Sequence, residues 1–148
     1  EQAFANHSTG FAVALIDLDR FKQVNDNLGH DIGDQLLVEV AGRLKHSSAA
    51  GEIVGRLGGD EFLILIPDIS SREQASARAT AYLSGFARPA YISGHVLTAS
   101  ASIGTAVHAL DGHGTEQLLK AADGALYRMK RTSRSDRRSA NRPSRNIG

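Results

Sequence analysis

"EIVGRLGGDEFLILIP", residues 52–67, sets two apolar runs on either side of paired glycines, Gly58 and Gly59. Two strand-like segments separated by Gly-Gly read as a β-hairpin, because both central positions of a tight two-residue turn favour a positive φ. This is the strongest local signal in the chain, and it makes two strands adjacent with no helix between them. It also leaves Asp60 and Glu61 at the exit of the turn. The glycines carry a second reading: lacking Cβ atoms, they let a bulky anion approach the backbone closely. Spacing alone does not separate the two.

Working outward, "FAVALID" (11–17) is an apolar run ending in an acid, as suits a buried strand that delivers a polar group to a sheet edge. "DRFKQVNDNLG" (19–29) places Phe21, Val24 and Leu28 at helical spacing, with Gly29 as a stop. A second helix is expected from near Asp31 to Ser47, with Ile32, Leu36, Leu37, Val40, Ala41 and Leu44 on one face. Beyond the hairpin, "SSREQASARATAYLSGFA" (70–87) reads as an Ala-rich helix opened by a serine cap, with Glu73 three residues on. "HVLTASASIGTAVH" (95–108) reads as one strand, and "GTEQLLKAADGALYRMKR" (114–131) as a helix whose apolar positions are Leu118, Leu119, Ala122, Leu126 and Met129. The order is βααββαβα, with a short extra strand near Tyr91. Hairpin-linked strands combined with helices predict an α+β fold, a sheet covered by helices, rather than a doubly wound parallel sheet.

At 148 residues and 41% hydrophobic content the chain fits one domain with a sufficient core. There is no cysteine, which excludes disulfides and thiolate metal sites and suits a reducing cytoplasm. No stretch approaches the roughly 18 apolar residues of a membrane span, and residues 1–10 lack a signal-peptide pattern. The net charge of +1 hides an asymmetry: from Lys130 onward seven basic residues face one acid, Asp136, leaving −5 on the remainder. That serine-rich segment reads as a disordered tail or linker, and without aromatic residues it is a poor nucleic-acid arm.

Two acidic clusters could carry chemistry, Asp17 with Asp19 and Asp60 with Glu61. If the first strand lies beside the hairpin, they converge at one sheet edge, where a cation would offset their repulsion; oxygen-only ligands favour Mg²⁺ over zinc. The plainer alternative is that Asp19 caps the following helix and Asp60 merely suits a turn. Lys22, in the first turn of a helix with the amides of Arg20 and Phe21, could cradle a phosphate, although most lysines so placed are simply solvated.

Taken together, "DLDRFKQVNDNLGHDIGDQLL", "RLGGDEF", "SIGTAV" and "LLKAADGALYRMK" resemble the signature blocks of GGDEF-domain diguanylate cyclases, in order and at the usual separations, over residues 11–134. Four ordered blocks are far more specific than any one. The resemblance implies a central, mostly antiparallel sheet flanked by helices, similar to nucleotidyl cyclases and the polymerase palm. It implies an enzyme that condenses two GTP into cyclic di-GMP and two pyrophosphates, each 3′-hydroxyl attacking the other nucleotide's α-phosphate. Each domain gives half a site, so a transient homodimer is required.

By the same resemblance Asp17, Asp60 and the Leu18 carbonyl bind Mg²⁺, two ions with Mn²⁺ as the alternative. Such a pair, about 3.5–4 Å apart, lowers the pKa of the attacking hydroxyl and neutralises phosphate charge. Asp60 and Glu61 are the catalytic acids, Glu61 aiding either the metal or hydroxyl deprotonation. Asn25 and Asp34 match the guanine-reading pair, since a carboxylate accepts from guanine N1–H and the N2 amine, which adenine does not offer in that arrangement. Lys22 and the Arg20 and Phe21 amides match the triphosphate-binding turn. Gly58 and Gly59 leave room for the α-phosphate and sugar, and Lys130 and Arg134 match a basic pair on the last helix.

The sequence also departs from the family. Ala49 and Glu52 stand where many members carry an Arg-x-x-Asp product-inhibition site, so none is expected here. Ser133 replaces the glycine usual before the arginine, which weakens Arg134 more than Lys130. The usual Asp-x-Leu-Thr-Gly-Leu segment does not precede the first strand, so the expected domain is 1–134, lacking that segment and less active or stable for it, with a basic tail at 135–148. A cytoplasmic setting, no nucleic acid, no membrane in this segment, and fusion to sensory or phosphodiesterase domains complete the expectation. The alternative is a GTP-binding GGDEF module that regulates an adjoining phosphodiesterase without turnover.

Overall fold

The first apolar run forms β1 (Phe11–Leu18), and its place in the sheet organises the molecule. A computed structural model describes residues 10–86 and 88–141, with the side chains of 133–141 outside the described set. β1 lies between β3 (Glu61–Pro67) and β6 (Ala101–Val107), and β2 (Ile53–Gly58) lies outside β3, giving the order β2-β3-β1-β6, antiparallel throughout. The helices are α1 (Phe21–Leu28), α2 (His30–Ser47), α3 (Arg72–Ser84) and α4 (Thr115–Asn141). The expected α+β sheet flanked by helices is the architecture found.

A strand covered on both faces has no polar side, which is why β1 reads as continuous apolar sequence. Ala12, Ala14, Ile16 and Leu18 enter the larger core with α2 and α3. Val13 and Leu15 enter a smaller core with Ala106 and the α4 residues Leu118, Ala122 and Leu126. β3 alternates likewise: Phe62, Ile64 and Ile66 join the larger core, Leu63 and Leu65 the smaller. At Gly104 of β6 the backbone of α4 comes closest, and a Cβ there would meet the Ala122 carbonyl oxygen, the Leu126 amide nitrogen and, at 2.8 Å, the Leu126 Cα.

Three local expectations need correction. The hairpin turn is centred on Gly59 and Asp60, not on Gly58 and Gly59, because a bulge between Arg56 and Gly58 shifts the register and leaves Gly58 paired with Glu61. Arg56 holds the shifted turn, its Nε and Nη2 donating to the Gly59 carbonyl at 3.1 and 2.8 Å. The run 95–108 is two strands: β5 (His95–Leu97) pairs with β4 (Ala90–Ile92), the short strand expected near Tyr91, while β6 joins the main sheet. The cap of α3 is Ser71, whose hydroxyl accepts from the Gln74 amide, and Gln74 Oε1 accepts from Ser70 N–H. Gln74 rather than Glu73 thus completes the capping pair, one residue later than expected.

Glu52, just ahead of β2, ties the sheet to α3. Its carboxylate accepts from Arg78 Nε at 2.7 Å and Nη2 at 2.8 Å, from the Tyr82 hydroxyl, and from Ala49 N–H at 3.0 Å. Burial pushes this carboxyl up, but the hydrogen bonds from Arg78, Tyr82 and Ala49, with the Arg78 charge, outweigh it and hold the pKa below 4.5. A depressed carboxyl contributes stability that is present above its unfolded pKa and lost as pH falls through its folded one. Glu52→Gln should therefore cost about 2 kcal/mol at pH 7. Urea melts at pH 7 and pH 3 check this, since the gap should narrow as the pH falls.

Candidate active site

The sheet brings the two acidic clusters to one edge. In the β1–β3 ladder Asp17 faces Glu61, and the next amide, Leu18 N–H, donates to the Asp60 carbonyl at 3.2 Å. Asp17 and Glu61 share the parity of Val13, Leu15, Leu63 and Leu65, so they end the face covered by α4. From that helix Lys130 Nζ reaches Asp17 Oδ2 at 2.7 Å. Asp17 Oδ1 is buried and has no hydrogen-bond partner.

The site is overloaded with negative charge. Burial first, then the Asp17 charge, push the Asp60 carboxyl above its ordinary range, against the pull of its backbone hydrogen bond and Lys130. Burial, followed by the charges of Asp17, Asp60 and Asp123, pushes Glu61 up as well, with Lys130 opposing. Among the described residues no three His, Cys, Asp or Glu side chains group as a metal centre. A cation here would draw on two carboxylates and a backbone oxygen, leaving positions for water and phosphate, which suits Mg²⁺. The orphaned Asp17 oxygen and the lysine ammonium resting on its twin are the observations that make the donor set fit a cation.

Gly59 has φ +51° and Gly58 φ +150°, conformations that favour glycine at both. Apart from the glycine itself and its chain neighbours, no described atom lies within 4 Å of where either Cβ would stand. The turn therefore accounts for the residue type, while the space beside it is left open. Arg20, at the head of α1, is left-handed with φ 60° and ψ 24°, and no side chain caps that helix. Phe21 and Lys22 follow in its first turn. Asn25 Oδ1 is buried without a partner, against Gly33 of α2, where any Cβ would collide with it. Gly33 thus belongs to this part of the site although only its neighbour Asp34 was expected there. Asp34 lines a cavity of about 390 Å³ between α2 and β2 with Leu37, Val54 and Phe62, and Asn25 does not line it. The side chain of Arg134 lies outside the described residues. Ala49 offers no polar side chain, and Glu52 is occupied by Arg78 and Tyr82.

Asp19 is neither a helix cap nor part of the Asp17–Asp60 pair; its carboxylate accepts from the hydroxyls of Ser100 and Ser102. Sequence reasoning missed those serines, and it missed Asp123. For Asp123 a signal exists, since it precedes Lys130 by two helical turns and so shares its face.

The model of the family described as "Diguanylate cyclase, GGDEF domain" matches residues 1–136. The chain belongs to the GGDEF-domain family. This GGDEF domain is 43% identical over 127 residues to the bifunctional diguanylate cyclase/cyclic di-GMP phosphodiesterase MucR of Pseudomonas aeruginosa, covering 84% of the chain and 18% of MucR. It is 38% identical to the diguanylate cyclase TpbB of the same organism, covering 90% of the chain and 31% of TpbB. With the cyclic di-GMP phosphodiesterase NbdA, also of Pseudomonas aeruginosa, it shares 37% identity over 86% of the chain and 16% of NbdA. The chain thus spans less than a third of the length of these relatives. The crystal structure of the TpbB GGDEF domain superposes with a TM-score of 0.83 at 36% identity, covering 88% of this chain and 82% of that one. A sensory box/GGDEF family protein from Caulobacter crescentus gives 0.81 at 36% identity, covering 88% and 85%. Among the described residues, no helix of the GGDEF domain is long and apolar enough to cross a membrane.

Proposed function

We propose that this GGDEF domain is a diguanylate cyclase half-site, two copies of which meet transiently to condense two GTP into cyclic di-GMP and two pyrophosphates. The observation that carries the reading is the convergence of Asp17, Asp60 and Glu61 at one sheet edge, with one Asp17 oxygen unpartnered and Lys130 against the other. Asp17, Asp60 and the Leu18 carbonyl would hold Mg²⁺. When bound, Mg²⁺ supplies charge neutralisation on the phosphates and a more acidic 3′-hydroxyl.

The protein's own groups do the remainder. Lys22 and the amides of Arg20 and Phe21 hold the triphosphate, with Lys130 and, by the family resemblance, Arg134 as further phosphate partners. Gly58 and Gly59 leave room for the α-phosphate and sugar. Glu61, its pKa raised toward the range in which a carboxylate accepts a proton, serves the metal or takes the hydroxyl proton. Asp34 accepts from the guanine edge, and Asn25 supports the base from α1. Asp34→Asn should lower turnover of GTP by about 100-fold and blunt the preference over ATP, measured as kcat/KM for each nucleotide.

The deciding experiment incubates the protein at high concentration with GTP and Mg²⁺ and follows cyclic di-GMP by chromatography. Product must appear, must vanish on Asp60→Asn, and must form at a rate unaffected by added cyclic di-GMP, because Ala49 and Glu52 provide no product site. The names of MucR and NbdA favour a second reading, a GTP-binding module that regulates an attached phosphodiesterase. GTP binding with no product would select it. In the whole protein we place the domain in the cytoplasm, where GTP is available, fused to sensory or phosphodiesterase domains.

A further inference from the structure

Asp19 follows Asp17 by two residues, yet both its carboxylate oxygens and its backbone N–H are committed elsewhere. Its Oδ1 accepts from the Ser102 hydroxyl at 3.0 Å and its Oδ2 from the Ser100 hydroxyl at 3.1 Å. Its backbone N–H donates to the Ser100 carbonyl at 2.9 Å. Three bonds therefore join the end of β1 to the start of β6 across more than 80 residues of sequence. Ser102 is only 1% exposed. A buried hydroxyl stripped of its partner costs about 1–3 kcal/mol. Asp19 cannot rotate toward the Asp17–Asp60 pair without stranding it.

The next residue carries strain. Arg20 sits at φ 60°, and a left-handed conformation costs a residue with a Cβ roughly 1–2 kcal/mol. Such strain persists only where the surroundings over-determine it. Here the chain is fastened at Asp19 and enters α1 at Phe21, so a single residue must make the turn.

We propose that Asp19 is a positioning residue: fastened to Ser100 and Ser102, it holds the β1–α1 turn in the shape that presents the Arg20 and Phe21 amides and Lys22 to a triphosphate. This rests on the GTP reading above. Asp19 is thereby separated from the metal ligands Asp17 and Asp60, with which its place in the sequence groups it. Aspartate is the suitable residue because each of its two oxygens serves one hydroxyl, and asparagine can keep both contacts by accepting from one serine and donating to the other.

The test uses the whole chain with Asp19→Ala, Asp19→Asn and the milder Ser102→Ala. Amide hydrogen exchange is read at residues 18–22, affinity is measured with 3′-deoxy-GTP, which lacks the attacking hydroxyl, and the Mg²⁺ requirement is taken from cyclase activity. Asp19→Ala should speed exchange at 18–22 while leaving α4 unchanged, and weaken nucleotide binding about tenfold. The Mg²⁺ concentration for half-maximal activity should stay within about twofold, and Asp19→Asn should restore most of the affinity. Unchanged exchange at 18–22 in both Asp19→Ala and Ser102→Ala overturns the proposal. A shifted Mg²⁺ requirement with unaltered nucleotide affinity also overturns it and makes Asp19 a metal ligand. If the unaltered protein fails to bind 3′-deoxy-GTP, the GTP reading falls, and the exchange data still decide whether Asp19 fastens the turn.

Discussion

Replacing Gly104 with alanine is expected to lower the melting temperature of the domain by about 10 °C, from an overpacking cost of about 3 kcal/mol. The added methyl meets backbone of α4, the Ala122 carbonyl and the Leu126 amide, and neither can rotate away as a side chain would. Relief requires α4 to lift from β6, which opens the smaller core of Val13, Leu15, Ala106, Leu118, Ala122 and Leu126. Circular dichroism melts of Gly104→Ala against the parent chain measure the effect. An unchanged melting temperature would mean that the seam between β6 and α4 is looser than the backbone contacts describe. Lys130 lies one helical turn past Leu126, so the same variant should also lose the Lys130–Asp17 pair.

Asp60→Asn is expected to reduce cyclic di-GMP formation by at least about 100-fold, the scale on which removal of one charge-stabilising group acts in a water-excluded site. The same substitution should leave the fold as stable as the parent or more so. Because the folded pKa of Asp60 is raised by burial and by Asp17, its ionisation works against folding, and that penalty sets in as pH rises above 3.8 toward the folded value. Asparagine carries no charge and removes the penalty at neutral pH. The pair of measurements is diagnostic: lost activity with a retained or raised melting temperature separates a functional carboxylate from a structural one. Lost activity with a fallen melting temperature would return Asp60 to the role of an ordinary turn residue.

Much of this was readable from the chain because the decisive features are local. The apolar run of β1, the glycine stop after Leu28, the inward face of α2 and the two strands of the hairpin are each written in one continuous stretch of chain. The misreadings came from pairing, which no local pattern contains. The bulge at Leu57 moves the turn one residue along, and "HVLTASASIGTAVH" alternates almost without interruption although its two halves join different sheets. In the site, proximity of Asp17 to Asp60 and Glu61 followed from placing β1 beside the hairpin. The partners of Asp19 did not, since Ser100 and Ser102, just before and within β6, arrive more than 80 residues later with nothing local to mark them. Gly33 and Gly104 were equally silent, because a glycine needed for close approach has the same letter as one needed for a turn.

The Lys130–Asp17 bridge has a consequence for how the domain lives without ligand. A pocket of acids that depended on a metal for its assembly would come apart in a chelator. Here the ammonium already partly balances the charge, so the polypeptide should fold and persist in EDTA with its melting curve nearly unchanged. Under the proposed function, a divalent ion would then be a reagent recruited with nucleotide rather than a structural part. On the proposed cyclase reading, readiness to react would then be decoupled from the integrity of the fold.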